Sequence, residues 1–398
     1  MIKKLIYHLI VVFIIFSTLW FVIEKFSKFN PVFTAIQDIK FSDIYFSYFN
    51  SINPSSEIYI VDIGMKSHKQ TRFEIAEFIE KVNKKHKPSV IGVDVYFEYN
   101  KEKINQKLIS SLAMDNVVRM FKLSEDNFLV NGRNKSILYP DFSFLPGLDT
   151  NLFNKDGFTF GLGVATDHPC IRFYKPNLNL NGKTYNHFSK LVAQKHLNKT
   201  DQYINSEINF DKKIMINYNV DFSKNRISIN DSSRYHELKD KIVLIGLNTY
   251  KNDGSPLYNY DIHFTPKNKN YIGRSAKDSY GIEILSTIIS NIIYNDHLQY
   301  NKFLHLFINY VLSIVIYVIL FLVFKLRNKY FSFLKIFFQT FGILLLVSLS
   351  VYFIKTTNYY LDLTIAIFAT FIAAEIVKVV DKIIDFLNKY FKNKSIKI

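Results

Sequence analysis

Apolar positions along the chain fall into two regimes. At both ends they form long uncharged runs: Leu5–Ile23 near the N-terminus, then Leu304–Phe324, Ile336–Ile354 and Leu361 to about Val377. At about 1.5 Å rise per residue, runs of this length approach the roughly 30 Å thickness of a bilayer's hydrocarbon core. Between them, short apolar runs of strand length alternate with amphipathic stretches and with segments rich in Asn, Lys, Asp and Ser. The pattern predicts four transmembrane α-helices, one N-terminal and three C-terminal, bracketing a polar α/β domain. The expected divisions are a signal-anchor helix over 1–24, an extracytoplasmic domain over 25–300, three membrane helices over 301–378 and a short basic amphipathic tail over 379–398.

Within the domain, Ile58–Ile63 and Ser89–Phe97 read as buried strands joined by a helix over Thr71–Lys85, whose apolar positions Phe73, Ala76, Phe78, Ile79 and Val82 recur at helical spacing. A strand-helix-strand unit of this length predicts a parallel pair with a right-handed crossover. Further on, Ile104–Ala113 and Asn186–His196 read as helices, and Asn116–Leu123 and Lys213–Tyr218 as strands, while 124–156 is the least legible stretch. The fold class is therefore α/β with a mostly parallel sheet. Its focus is Lys241–Asn291: a buried strand ending at Gly246, a polar loop carrying YNYDIHFTP, and an amphipathic helix opening at Gly281. In open α/β sheets, a crevice for ligands lies beyond the carboxyl ends of such strands.

Charge sets the orientation. Lys325, Arg327, Lys329 and Lys335 crowd the connection between the first two C-terminal spans, whereas the next connection has only Lys355 against Asp362. By the positive-inside rule both termini are cytoplasmic and the domain extracytoplasmic, in a multi-pass protein of the cytoplasmic (inner) membrane. The first apolar run exits through Glu24, Lys25 and Phe26 rather than small residues, so an uncleaved anchor is expected. The net charge of +16 is scattered rather than gathered into a basic stripe, which argues against a nucleic-acid partner. A single cysteine, Cys170, excludes an internal disulfide framework and reads as a small core residue.

Asp62 and Asp94 fall at or near strand ends, where they would meet Asp261 and His263 from the polar loop. Together with Asn217 and Thr265, they are the candidate ligand-binding residues; the competing reading is that strand-end aspartates hold loop amides. No nucleophile elbow, zinc motif or phosphate loop is present, so no catalytic residues, metal ligands or cofactor are expected. An extracytoplasmic hydrolase is the least favoured reading.

The blocks IYIVDI, VIGVDVYF, IMINY, KIVLIG, DIHFTP and GIEILSTIISNII, in this order over Ile58–Leu298, resemble the CHASE domain of type two, an extracellular sensory module associated with cyclases and histidine kinases. Two elements depart from that family. SHKQT stands where an entry rich in tryptophan and proline is usual, and the middle Asp-Gly…Arg element is reduced to DHPCIR, Asp167 to Arg172. The resemblance implies a sensor for an extracytoplasmic signal. The roughly twenty residues after the last span are too few for a catalytic output domain, which implies a cytoplasmic effector in trans. The alternative is a non-signalling envelope protein whose domain docks another envelope protein. Gly281 and Glu283, at the head of the last helix before the membrane, are the expected relay. Leu387 and Phe391 lie on the apolar face of the tail, which reads as a flank lying on the lipid bilayer or as a homodimer or partner contact.

Overall fold

The computed structural model describes residues 41–97, 106–130, 133–141, 156–159, 170–180, 182–198, 214–251, 255–258, 260–267, 277–325 and 331–371, with single positions beyond to 386. The chain divides into two units: Phe46–Leu298, and the segments on either side of it, Met1–Tyr45 and Gln299–Ile398.

The first unit is built on a seven-stranded sheet. Its strands are β1 (Ile58–Asp62), β2 (Val90–Val93), β3 (Val117–Val130), β4 (Arg133–Asp141), β5 (Asp156–Phe158), β8 (Arg226–Ser228) and β9 (Ile242–Gly246), with the short hairpin β6 (Asn177–Leu180) and β7 (Lys183–Asn186) outside it. The order is β8-β1-β9-β2-β3, all parallel, and β3 pairs on its far side with β5 in parallel and with β4 antiparallel. The strands β1 and β2 are parallel but do not pair with each other, contrary to the simple strand-helix-strand unit. β9 lies between them, with Leu244 opposite Ile60 on one side and Gly92 on the other. The reason is in its composition: every residue of Ile242–Gly246 is buried, as a central strand covered on both faces requires.

Helices cover both faces. α1 (His68–Lys85), opened by the Ser67 cap, and α2 (Gln106–Leu112) bury Ile75, Ile79, Val82, Leu108 and Leu112 against Val61, Ile91, Val243 and Ile245. The opposite face receives α3 (Phe188–Leu197) and α4 (Gly281–Ile293). A Cβ built on Gly92 would stand 2.8 Å from Phe188 Cζ, and one on Gly246 would stand 2.6 Å from Ile282 Cδ1, so each helix rests directly on the strand backbone. α3 and α4 are joined where Ser189 Oγ donates to the Leu285 carbonyl at 3.1 Å.

Three expectations change. The strand expected over Ser89–Phe97 leaves the sheet at Asp94. The strand expected over Lys213–Tyr218 shrinks to Ile214–Met215, paired with Phe173–Tyr174 outside the main sheet, because the backbone and side chain of Asn217 bond residues around the end of α4 instead. The illegible stretch after Leu123 is in part a long hairpin of β3 with β4. Cys170 is buried, as expected of a core residue.

In the second unit, α5 (Lys302–Lys325) and α6 (Phe331–Thr357) contain apolar stretches of 21 and 22 residues, Phe303–Val323 and Ile336–Thr357, long enough to cross a membrane. A further helix begins at Thr364. Its first turn is capped from α5: Asn309 Nδ2 donates to the Asp362 carbonyl at 2.8 Å, and Asn309 Oδ1 accepts from Ala366 N at 3.0 Å. A polar side chain that satisfies a helix terminus in this way spares it the cost of unpaired backbone groups. The expected N-terminal span, Leu5–Ile23, lies outside the described residues.

Candidate functional site

The carboxyl edge of the parallel strands meets the first turn of α4, and three of the candidate residues converge there. Asp62 ends β1 but is committed to its own loops. Its Oδ1 accepts from Gly64 N at 3.0 Å and Asn248 N at 2.9 Å, and its Oδ2 accepts from Thr249 Oγ1 at 2.6 Å. Gly64, at φ +60°, supplies the left-handed turn that brings its amide back to this carboxylate. Asp62 therefore fixes the loops after β1 and β9 rather than facing the crevice. Asp62→Ala is expected to cost about 2 kcal/mol by stranding these donors. Asp62→Asn, which keeps Oδ1, is expected to cost less; chemical denaturation of the two variants checks the order.

Asp94, Asp261 and His263 form the cluster proper. Asp94 follows β2 directly, and its amide still bonds the Ile245 carbonyl at 2.9 Å. Burial, then the neighbouring Asp261, pushes its carboxyl well above the usual carboxylate range, against a smaller opposing pull from Lys122. Asp261 has a left-handed backbone (φ 52°), and its carbonyl accepts from Gly281 N at 2.9 Å. Its carboxylate occupies the space a side chain at 281 would need: a Cβ there would lie 2.6 Å from Oδ2. The relay candidate Gly281 is thus the residue that admits Asp261 to the head of α4, where the helix dipole favours a negative charge. His263 Nε2 stands 3.1 Å from Asp261 Oδ1. His263 belongs to β10 (Ile262–His263), which pairs with β11 (Ser279–Tyr280) immediately before α4.

The other candidates serve different purposes. Thr265 is fully buried, its amide donating to Asp278 Oδ1 at 2.8 Å and its hydroxyl to Asp278 Oδ2, so it anchors the β10–β11 connection. Burial raises the Asp278 carboxyl, while Lys267 and these Thr265 bonds pull it down. Asn217 is placed away from the cluster, toward the far end of α4, about 15 Å along the helix from Gly281. There its amide donates to Asn291 Oδ1 at 2.8 Å and its Nδ2 to Asp296 Oδ1 at 3.1 Å. Glu283, in the first turn of α4, is buried and accepts from Arg226 Nη2 and the Tyr250 hydroxyl. Leu387 and Phe391 lie outside the described residues, as does Asp167, while Arg172 is buried.

Sequence reasoning missed the supports of this site. Tyr280 donates to the Thr249 carbonyl at 2.7 Å and packs edge-on to Tyr250, with ring centroids 5.2 Å apart. The Arg226 guanidinium lies 4.2 Å from the centre of the Tyr250 ring. No spacing in the chain announces these contacts, since Arg226 and Glu283 are far apart in sequence. Among the described residues, no group of three or more His, Cys, Asp or Glu side chains is arranged to hold a metal ion.

The fold and site define an α/β domain with Asp261 and His263 at the head of its last helix, followed by helices apolar enough to span a membrane. A family model described as the CHASE2 domain matches residues 9–325, most of the chain, and the protein belongs to that family of sensory extracellular domains. No match is found among curated proteins or solved structures.

Proposed function

We propose that the protein is a multi-pass membrane sensor: the domain binds an extracytoplasmic signal at the head of α4, and the change passes through the membrane helices to a separate cytoplasmic effector or partner. One observation carries the reading. α4 begins on Asp261 at the cluster and ends nine residues before α5 begins. Its far end is tied down by Asn217, and Leu298 bonds the Met215 carbonyl within the α/β unit. The next residue, Gln299, donates to the Asn358 carbonyl at 2.8 Å in the loop after α6. A shift of α4 thus has a short covalent route to α5 and, through the Gln299 hydrogen bond, a route to the connection after α6. The orientation rests on the charge asymmetry of the connections. A signal acts this way only if it binds the two positions of α4 with different affinity. No catalytic step or cofactor enters this reading.

Gly281→Ala tests it, because the new methyl group drives the Asp261 carboxylate off the helix head. In cells carrying Leu387→Cys or Phe391→Cys, this change is expected to alter crosslinking of the tail, to a second copy or to a partner recovered with it. Tail crosslinking that is the same with and without Gly281→Ala, in a folded, membrane-inserted protein, would sink the coupling and favour a non-signalling envelope protein.

A further inference from the structure

Resting on the reading of α5 and α6 as membrane spans, we infer that the helical segment leading into the α/β unit is a further membrane contact. Its bare face, Ile44, Tyr48 and Phe49, lies in the lipid bilayer at the boundary between headgroups and acyl chains. The segment is one turn of α-helix, Phe41–Ile44, running directly into a π-helical stretch, Tyr45–Phe49. Its two faces are unlike. Tyr45, Phe46 and Ser47 are buried, whereas Ile44, Tyr48 and Phe49, at helical spacing on the other side, are 42%, 68% and 42% exposed. Exposed apolar residues standing singly need no explanation, but these are continued by an exposed Ile52. No charged residue occurs between Asp43 and Glu57, in a chain of which 21% is charged.

The start of the segment fixes where it lies. Ser42 N donates to the Tyr360 hydroxyl at 3.1 Å. Tyr360 stands just after α6, and its amide donates at 2.9 Å to the carbonyl of Gln299, just before α5. Ser42 is thereby held at the end of the apolar helices where α5 begins and α6 finishes. At a rise of about 1.5 Å per residue, Phe49 is at most about 11 Å along the segment from Ser42. A bilayer's headgroup layers add about 5–8 Å on each side of the hydrocarbon core, so side chains on this face have that layer within reach.

The opposite face keeps the bare one turned outward. Phe46 packs edge-on to Tyr218 with ring centroids 5.8 Å apart, and Ser47 Oγ donates to the Pro266 carbonyl at 3.1 Å. Just beyond, Asn50 Nδ2 donates to the Tyr218 carbonyl at 2.8 Å. With these contacts made, the segment cannot roll its exposed rings under itself. The residue types suit the boundary, since a Tyr ring takes apolar contact while its hydroxyl stays with water and headgroups. Asp43, the one charged side chain in the segment, is buried and accepts from Ser42 Oγ at 3.2 Å, so the face brings no bare charge to lipid. A second copy of the chain is the rival occupant. The anchor at Tyr360, beside the apolar helices, favours lipid.

The test is tryptophan fluorescence of the full chain in phosphatidylcholine nanodiscs, with and without bromine on the acyl chains. The single natural tryptophan is removed by Trp20→Phe, and one reporter is introduced at a time. Tyr48→Trp is expected to lose about half its emission to brominated lipid, as suits a ring about 5–10 Å into the boundary. Ile314→Trp, at an exposed position on α5, is expected to be quenched at least as strongly, and Phe73→Trp, at an exposed position on α1, hardly at all. Should Tyr48→Trp fail to fold, Phe49→Trp reports on the same face. Quenching at position 48 no greater than at position 73, with position 314 quenched, overturns the interfacial contact and leaves the spans standing. A blue-shifted emission from Tyr48→Trp that bromine does not reach means that a protein surface, such as a second copy, covers the face, and overturns the contact as well. Absence of quenching at position 314 removes the membrane reading itself, and the contact with it.

Discussion

Glu283→Ala is expected to lower the stability of the α/β unit by about 3 kcal/mol, seen as a fall of roughly 6–12 °C in the thermal midpoint of the purified full chain. Glu283 is 3% exposed and sits in the first turn of α4. Its carboxylate accepts from Arg226 Nη2, at the start of the edge strand β8, and from the Tyr250 hydroxyl in the loop after β9. Burial, then the Glu283 charge, pushes the Tyr250 phenol up, so it stays a neutral donor. Removing the carboxylate leaves the guanidinium without its counter-ion over an aromatic ring. The Arg226 side chain retains 30% exposure, so water offsets part of that loss and the cost falls at the lower end for a buried pair. Glu283→Gln keeps an acceptor for Tyr250 but no charge for Arg226, and belongs between the natural protein and Glu283→Ala. In the Glu283→Ala background, Tyr250→Phe is expected to cost less than it does alone, because the hydroxyl has already lost its partner. Full additivity would show that Glu283 and Tyr250 act independently.

That network also shows how far the sequence could be read. β1, β9 and α1 were legible because each carries its burial pattern within itself: five consecutive buried residues in β9, and a helical repeat in α1. α4 was legible as a helix but not as the amphipathic one expected, since every residue from Gly281 to Ile292 is buried. The position of Asp62 and Asp94 at the carboxyl edge followed from the same strand ends. Their division of labour did not, because the donors that occupy Asp62 come from residues 248 and 249, nearly two hundred positions away. Thr265 and Asn217 looked alike as polar residues in named blocks. Only the fold shows that one braces Asp278 and the other the far end of α4. The edge strand β8 was invisible because three residues, Arg-Ile-Ser, hold too little alternation to declare a strand. β4 was obscured by its polar composition, and β5, only three residues long, was too short to declare itself although Phe158 is buried. The long apolar helices α5 and α6 were legible from the length and apolarity of their runs alone.

Gly157→Ala is expected to cost at least about 3 kcal/mol, at or above the upper end of ordinary overpacking. A Cβ on Gly157 would lie 2.3 Å from Phe188 Cα and 2.6 Å from Phe188 N, so the obstacle is backbone and cannot rotate aside. Relief requires either β5 to leave β3, breaking the pairing of Gly157 with Met120, or the N-terminus of α3 to lift. Lifting α3 disturbs the cap that His187 gives it, where the ring Nδ1 accepts from Ser189 N at 3.2 Å. Burial lowers His187 to about 3, which keeps that nitrogen an acceptor at any ordinary pH. It also displaces Ser189, whose hydroxyl holds the Leu285 carbonyl in the middle of α4. The substitution therefore separates two roles of α4 that stability alone would confound. If α3 is the backstop against which α4 is set, exchange at Leu285–Ile289 in a Gly157→Ala protein that still folds should rise, while the head at Gly281, held by Asp261, keeps its protection. Equal loss at both ends would mean that α4 moves as one rigid element.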